Sequence, residues 1–333
     1  MAGFYIWAIR FRLNRKGALR YIFMNRSIRN IMAMAIIFSS SLGFCGAAWS
    51  ESYRYALVMT GGIGIQENTV LGYERTHRVQ PKETLLDIAR IYGLGFNELT
   101  LLYPEIDPWV PKVGEPLKMP TTWVLPPTKF EEVVINIPEM RLYIFLKKIG
   151  MVKTYPIAIG RESFETPLGV HKVVVLEKNP TWVVPPSAKE AYPKAIYPPG
   201  PDNPLGDYWV GLSAPHVGIH GTNNPWAIGR RTSRGCIRMY PEHIKFFFNE
   251  VNAGTKVEII YEPVKIGVRD HVIYLEVHPD MYNQIPDIFK HTEELIRVKG
   301  LWGNVEWNTV YQCLKTKSGI PVPIGTQMKG GDV

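Results

Sequence analysis

Between residues 133 and 261 the chain is a succession of short β-branched runs cut by turn residues, and this pattern constrains the fold more than any other feature. Residues 133–137, 141–146, 151–159 and 170–176 read as strands, with hairpin turns at Pro138-Glu139 and 148–150. Residues 207–212 and 217–220 continue the sheet, and 256–261 closes it. One clear helix interrupts, 241–251, opened by Pro241 and carrying Phe246-Phe247-Phe248 as its expected core face. The reading is a mostly-β sandwich or barrel-like domain over 131–262. An antiparallel sheet with short loops would hold chemical groups at strand ends.

The flanks read differently. Residues 76–80 form a short strand, and a helix follows with Leu85, Ile88, Ala89 and Tyr92 at helical spacing, stopped by Gly93 and Gly95. A second helix at 96–102 and a strand ending at Pro120 complete a small βααβ unit over 74–120. Residues 121–130, with W-V-L-P-P-T from Trp123, read as a stiff Pro-rich linker. From 263 to 333 a strand (271–278), a helix (286–298) and an apolar stretch (302–314) make a short α+β extension, for which the residues alone indicate no role. The whole is mainly β with α+β parts.

The formal net charge of +8 points at first to nucleic acid. Yet the first thirty residues hold seven Arg or Lys and no acid, which leaves 31 basic against 30 acidic groups in the rest. The body therefore has no electrostatic footprint for DNA or RNA. The basic start leads into Ile31 through Trp49, nineteen residues without charge, and then to small residues at Ala47, Ala48 and Ser50. Residues 1–50 accordingly read as a secretory signal peptide, with export to the periplasm or cell envelope. The alternative is an uncleaved inner-membrane anchor, since nineteen apolar residues just span a bilayer. With Cys45 in this leader, only Cys236 and Cys313 remain. Cys313 sits in an apolar segment as a small core residue, and Cys236 is expected to be a free thiol.

The chemistry concentrates in H-G-T-N-N-P-W-A-I-G-R-R-T-S-R-G-C-I-R-M, from His220 to Met239. A thiol needs a base to become a good nucleophile, and a Gly-Cys turn can aim N–H groups at an oxyanion. His220 is the candidate base, Cys236 the nucleophile, and Gly235 with Cys236 the oxyanion donors. Ser233 would shape the turn by hydrogen bonding, and Arg238 would either hold a substrate carboxylate or anchor the loop, the anchor being preferred. His216 with His220 and Cys236 falls short of a zinc ligand set, so no metal or cofactor is expected. The segment 177–206 holds eight prolines; it is either a lid beside the site or an ordered surface excursion.

His before Cys, the H-G-T start and the S-x-G-C-x-R end together resemble the L,D-transpeptidases of the bacterial cell wall, of YkuD type. T-P-L-G-V at Thr166 matches that family's turn, and E-K-N-P-T-W with G-P-D-N-P-L-G resemble the insert of its ErfK-type subgroup. The 74–120 unit resembles a LysM domain at Val79, Glu83-Thr84-Leu85, Ile88-Ala89, Leu99, Pro104, Gly114 and Pro120. The first resemblance implies a Cys236 nucleophile and a His220 proton acceptor and donor, oriented by the backbone carbonyl of Gly221. The second implies affinity for glycan strands. One departure stands out: the family's S-H-G-C is S-R-G-C here, and Arg234 cannot move protons at neutral pH.

The resemblance thus implies a peptidoglycan L,D-transpeptidase. Cys236 attacks the L-centre carbonyl of a tetrapeptide stem and D-alanine leaves. The acyl group then passes to an amine of a second stem or of an outer-membrane lipoprotein. Two other readings stay open at this point. One is a hydrolase using the same thioester, an L,D-carboxypeptidase or a lipoprotein-releasing enzyme. The other is a catalytically silent wall-binding protein.

Overall fold

Strand Val133–Asn136 is buried at every residue and Arg141–Leu146 at all but its last, so this part of the sheet is covered on both faces. The period of two assigns the faces. Val133, Ile135, Leu142 and Ile144 join one core, together with Ile244 and Phe247 of helix Pro241–Glu250. Val134, Tyr143 and Phe145 point the other way and join a second core with Leu85, Ile88, Leu99 and Leu117 of the 74–120 unit. The computed structural model describes residues 52–55, 68–129 and 131–327. The 1–50 leader, with Cys45, lies outside them.

One nine-stranded sheet organises the centre. Its order is Ser52–Arg54, Met151–Pro156, Arg141–Leu146, Val133–Asn136, Lys256–Ile260, Gly169–Lys178, Tyr208–Leu212, Gly218–His220 and Ile237–Arg238. The fold is mainly β, and of the sandwich and barrel-like forms expected it takes the second, a single sheet that curls on itself. Ala158, just past the second strand, bridges to Arg238 in the last, and Ile159–Gly160 pairs with Arg231–Ser233. Nor is the sheet purely antiparallel. Lys256–Ile260 runs parallel to Val133–Asn136, and Ile237–Arg238 runs parallel to Gly218–His220. Parallel neighbours require long connections, and both pairs have them. The helix corrects another expectation. Successive residues turn by about 100°, so three phenylalanines in a row cannot share a face. Phe247 is buried, Phe248 packs half-buried against Tyr208, and Phe246 is 40% exposed.

In the 74–120 unit, Arg75–Arg78 pairs antiparallel with Pro116–Met119 around helices Leu85–Ile91 and Phe96–Leu102. Thr84 and Asp87 form a reciprocal cap on the first helix. The segment read as a linker, 121–130, contains strand Thr122–Val124, which pairs with Val70–Gly72. Trp123, Val124 and Leu125 are buried, because their apolar side chains fill the junction between the units. In the C-terminal extension, Val264–Arg269, Val272–Val277 and Val322–Thr326 form an antiparallel sheet covered by helices Ile288–Val298 and Trp307–Thr316. Cys313 lies in that core, and both it and Cys236 are free thiols. Among the described residues no helix is long and apolar enough to cross a membrane.

Buried charges join the three parts. Arg141, fully buried, donates from Nε to Glu98 (3.0 Å) and from Nη2 to the Gly93 carbonyl (2.6 Å), and its guanidinium lies 4.2 Å from the Trp123 ring centre. Lys265, also fully buried, reaches Glu139 at 2.8 Å, Glu276 at 2.7 Å and the Val124 carbonyl at 2.7 Å. Burial by itself would raise the Glu276 pKa, but Lys265 and His278 outweigh it and hold the carboxyl below its ordinary value. Glu139, Glu276 and His278 are also close enough to share a metal ion. The Lys265 ammonium already bridges the two carboxylates. Lys265→Met leaves Glu139 without its cation and Glu276 with His278 alone, and breaking such a buried pair costs about 3–5 kcal/mol. Urea unfolding of the full chain should show a decrease of that size; a change under 1 kcal/mol would mean the cluster is not a structural tie.

Candidate active site

Strand register assembles the chemistry. Trp209 pairs with His220 across an antiparallel ladder, and His220 pairs with Arg238 across a parallel one. Paired residues project to the same side of a sheet, so these three side chains share a face. One step beyond Ile219↔Ile237 in the same register, Gly218 lies next to Cys236, and the Gly218 backbone hydrogen-bonds the thiol. The imidazole thus ends strand Gly218–His220 and the thiol comes one residue before strand Ile237–Arg238, and extending the register puts both on one face. Two residues separate their levels, roughly 6.6 Å of strand rise.

The space between them depends on glycine. A Cβ at Gly218 would come within 2.5 Å of the Trp209 ring, and one at Gly211 within 2.9 Å of its Nε1. The indole lies across these two bare positions and stacks on His220, with ring centres 5.7 Å apart and planes at 27°. Sequence reasoning missed Trp209. Its signal was the pairing of W-V-G with G-I-H, a large aromatic opposite two glycines, which only the register reveals.

His220 is buried, and its Nδ1 lies 2.7 Å from the Gly221 carbonyl oxygen. A carbonyl can only accept, so Nδ1 carries the proton and Nε2 keeps a free lone pair. Burial, and then the charge of Arg238, lower the His220 pKa to about 3, against the opposing pull of the Gly221 and Leu205 carbonyls. The imidazole is therefore neutral at neutral pH. Cys236 is half-buried, with its Sγ 3.5 Å from the main-chain carbonyl of His216. Burial pushes this thiol up, and the Gly218 hydrogen bond and Arg238 only partly counter that. At rest both the thiol and the imidazole are neutral.

The Cys236 turn is built locally. Gly235 sits at φ +101°, where a side chain is strained. The buried Ser233 hydroxyl donates to the Cys236 carbonyl and closes the turn. The Arg161 N–H donates to the Ser233 carbonyl at 3.0 Å, tying in the neighbouring loop. Arg238 has no ion pair among the described residues, and its buried Nε has no hydrogen-bond partner there, so an internal anchor does not describe it. His216 is exposed and offers its carbonyl, not its ring, to the thiol. Tyr240 is buried and donates to the Leu94 carbonyl, which makes it packing against the 74–120 unit.

The proline-rich segment ends beside His220. Trp182–Val183 pairs with Ile196–Tyr197, and Trp182, Tyr192 and Tyr197 pack together. Asn203, fully buried, donates to the carbonyls of Pro180 (2.7 Å) and Tyr197 (3.2 Å) and accepts from the Leu205 N–H (2.9 Å). Gly206, at φ +67°, packs so closely on Gly221-Thr222 that a Cβ would lie 2.9 Å from the Thr222 nitrogen. One asparagine therefore folds the segment and seats its end on the histidine turn.

The chain is similar to known proteins over most of its length. The YkuD family, the L,D-transpeptidase catalytic domain, matches residues 131–259. The chain is 34% identical over 264 residues to the "Probable L,D-transpeptidase ErfK/SrfK" of Escherichia coli K12, covering 75% of this chain and 84% of that protein. It is 36% identical over 266 residues to the "Probable L,D-transpeptidase YbiS" of the same strain, covering 77% and 83%. Among solved structures, the catalytic domain of an E. faecium L,D-transpeptidase is 23% identical with a TM-score of 0.33, covering 40% of this chain and 100% of that one. On the strength of the two E. coli relatives, this chain belongs to the L,D-transpeptidase family.

Proposed function

We propose that the protein is an exported, cysteine-dependent transpeptidase of peptidoglycan in which Cys236 is the nucleophile and His220 the proton acceptor and donor. The observation that supports this most is the shared face of a neutral imidazole that ends one strand and a thiol that immediately precedes its neighbour, with Gly218 beside the thiol. The Cys236 sulfur attacks the L-centre carbonyl of a tetrapeptide stem while His220 Nε2 takes the thiol proton. The N–H groups of Gly235 and Cys236 receive the oxyanion. Each such donor is worth about 2.7–4 kcal/mol. The intermediate expels D-alanine, which takes the proton from His220, and leaves a thioester. An amine of a second stem, or of a lipoprotein lysine, displaces Cys236 to give the cross-link or anchor.

Three features support the catalytic cycle. Gly221 holds the histidine in the tautomer that can accept a proton. Arg238 favours the thiolate as it forms. The Trp209 face favours the imidazolium, a cation–π contribution of about 0.5–2 kcal/mol. The 74–120 unit serves as a LysM-type glycan-binding domain, and the basic, apolar leader directs the chain to the envelope.

Cys236→Ala should abolish product from disaccharide-tetrapeptide, scored by mass spectrometry. The wild type should give a stem dimer plus D-alanine. Tripeptide and D-alanine without dimer, even with amine acceptors added, would favour the hydrolase. Retained activity in Cys236→Ala would remove the cysteine mechanism. Alkylation of Cys236 by iodoacetamide should rise steadily with pH and show no plateau between pH 5 and 7. A plateau there would reveal a preformed thiolate–imidazolium pair and contradict the neutral state. Trp209→Leu should lower kcat roughly 2- to 30-fold, the range of that cation–π contribution, with KM little changed. A change confined to KM would make the indole a substrate contact instead.

A further inference from the structure

Beside the Cys236 turn, two arginines converge on one exposed phenylalanine. The guanidinium carbon of Arg161 lies 5.0 Å from the Phe164 ring centre and that of Arg234 lies 5.1 Å from it. The two cations are thus no further apart than those distances laid end to end. Neither has a carboxylate partner among the described residues. Arg234 is two positions before the nucleophile, and the Arg161 N–H holds the Ser233 carbonyl. A Cβ on Gly235 would lie 3.6 Å from the Glu165 carbonyl oxygen and 3.9 Å from that of Phe164. The loop with Arg161 and Phe164 therefore lies directly against the turn that presents the thiol.

We propose that Arg161 and Arg234, steadied by Phe164, form a subsite for the free α-carboxylate of the D-residue that leaves the acyl donor. The inference rests on the reading of Cys236 as nucleophile. Like-charged guanidiniums gathered without an internal counter-ion are suited to an anion brought by substrate, and the planar fork of arginine matches a carboxylate bidentately. The departing residue's carboxylate carbon is three bonds from the attacked carbonyl carbon, about 4 Å away at standard bond lengths. An arginine two positions from the thiol spans that gap. The carboxylate exists there only when the donor ends one residue past the scissile bond. The subsite therefore measures the donor's length, because a stem extended by one residue has a neutral amide at that place.

The test is release of the leaving residue by the full chain: D-alanine from disaccharide-tetrapeptide, and D-alaninamide from the same compound with its terminal carboxylate converted to a carboxamide. Wild type, Arg161→Gln, Arg234→Gln, the double variant, Arg234→Lys and Cys236→Ala are compared. The wild type should prefer the free acid. Each Gln substitution should reduce kcat/KM on the acid roughly tenfold, the scale of one charged hydrogen bond, and leave amidated-donor turnover within about twofold, so that the preference collapses in the double variant. Arg234→Lys should retain part of it. Equal losses on both donors, or an acid preference unchanged in the double variant, would overturn the subsite while Cys236→Ala stays inactive. Activity surviving in Cys236→Ala would overturn the nucleophile and the subsite with it.

Discussion

The architecture depends on two buried cations. Arg141 and Lys265 lie on neighbouring parts of the structure that no apolar residue could join in the same way. Arg141 reaches out of the central sheet to Glu98 and the Gly93 carbonyl in the 74–120 unit. Lys265 reaches from the C-terminal extension to Glu139 and to the Val124 carbonyl. Removing two ions from water costs several kcal/mol each unless every polar atom is matched. Here the matching is dense: Glu98 also accepts from Trp123 Nε1 and the Gly95 N–H, and Glu139 also accepts from Asn136 and the Tyr143 hydroxyl. Such pairs have a low tolerance for displacement. They fix the relative positions of the three parts more narrowly than an apolar contact, which tolerates sliding.

That rigidity has a functional consequence. The outer face of strands 133–136 and 141–146 is covered by the 74–120 unit, and the inner face by the helix and core on which the His220 strand rests. Tyr240, two residues past Arg238, donates to Leu94 in the 74–120 unit, and Arg90 pairs with Glu242 at the start of the helix that follows. The chain from the Cys236 turn onward is thus attached to the same unit proposed to hold glycan. A module on a flexible tether would raise only the local concentration of substrate. One held by buried charge also sets the distance from a bound strand to the thiol.

Much of this was legible in the sequence where period and turn chemistry decide the outcome. The β-branched runs became strands within a few residues of the expected limits, and the βααβ spacing became that arrangement, because local patterns suffice for both. What sequence could not give was partnership. The parallel pairing of Gly218–His220 with Ile237–Arg238 is a long-range choice, and with it went the stacking of Trp209 on His220. The polar residues of the junctions were equally opaque. Glu98, Glu139, Arg141 and Lys265 look like surface residues in a strand or helix, and only the packing of a second unit buries them. Phe164 and Arg161 escaped notice because a turn motif seemed to account for their loop.

The resting state of the site limits which effects can drive catalysis. With the His220 pKa lowered to about 3 by burial and Arg238, and that of the Cys236 thiol raised by burial, proton transfer from thiol to imidazole is uphill at rest. Base strength therefore cannot be the main source of rate. A cation–π contact offsets up to about 2 kcal/mol of that cost. The two proposed oxyanion donors, at about 2.7–4 kcal/mol each, act only once a carbonyl occupies the site and its oxygen gains charge. It follows that thiolate formation and attack are coupled, and that a neutral Cys236 is shielded from adventitious electrophiles until a donor is seated. In the proposed mechanism the backbone geometry of Gly235 and Cys236 therefore bears directly on the rate. The left-handed Gly235 would then serve the reaction as well as the sterics of the turn.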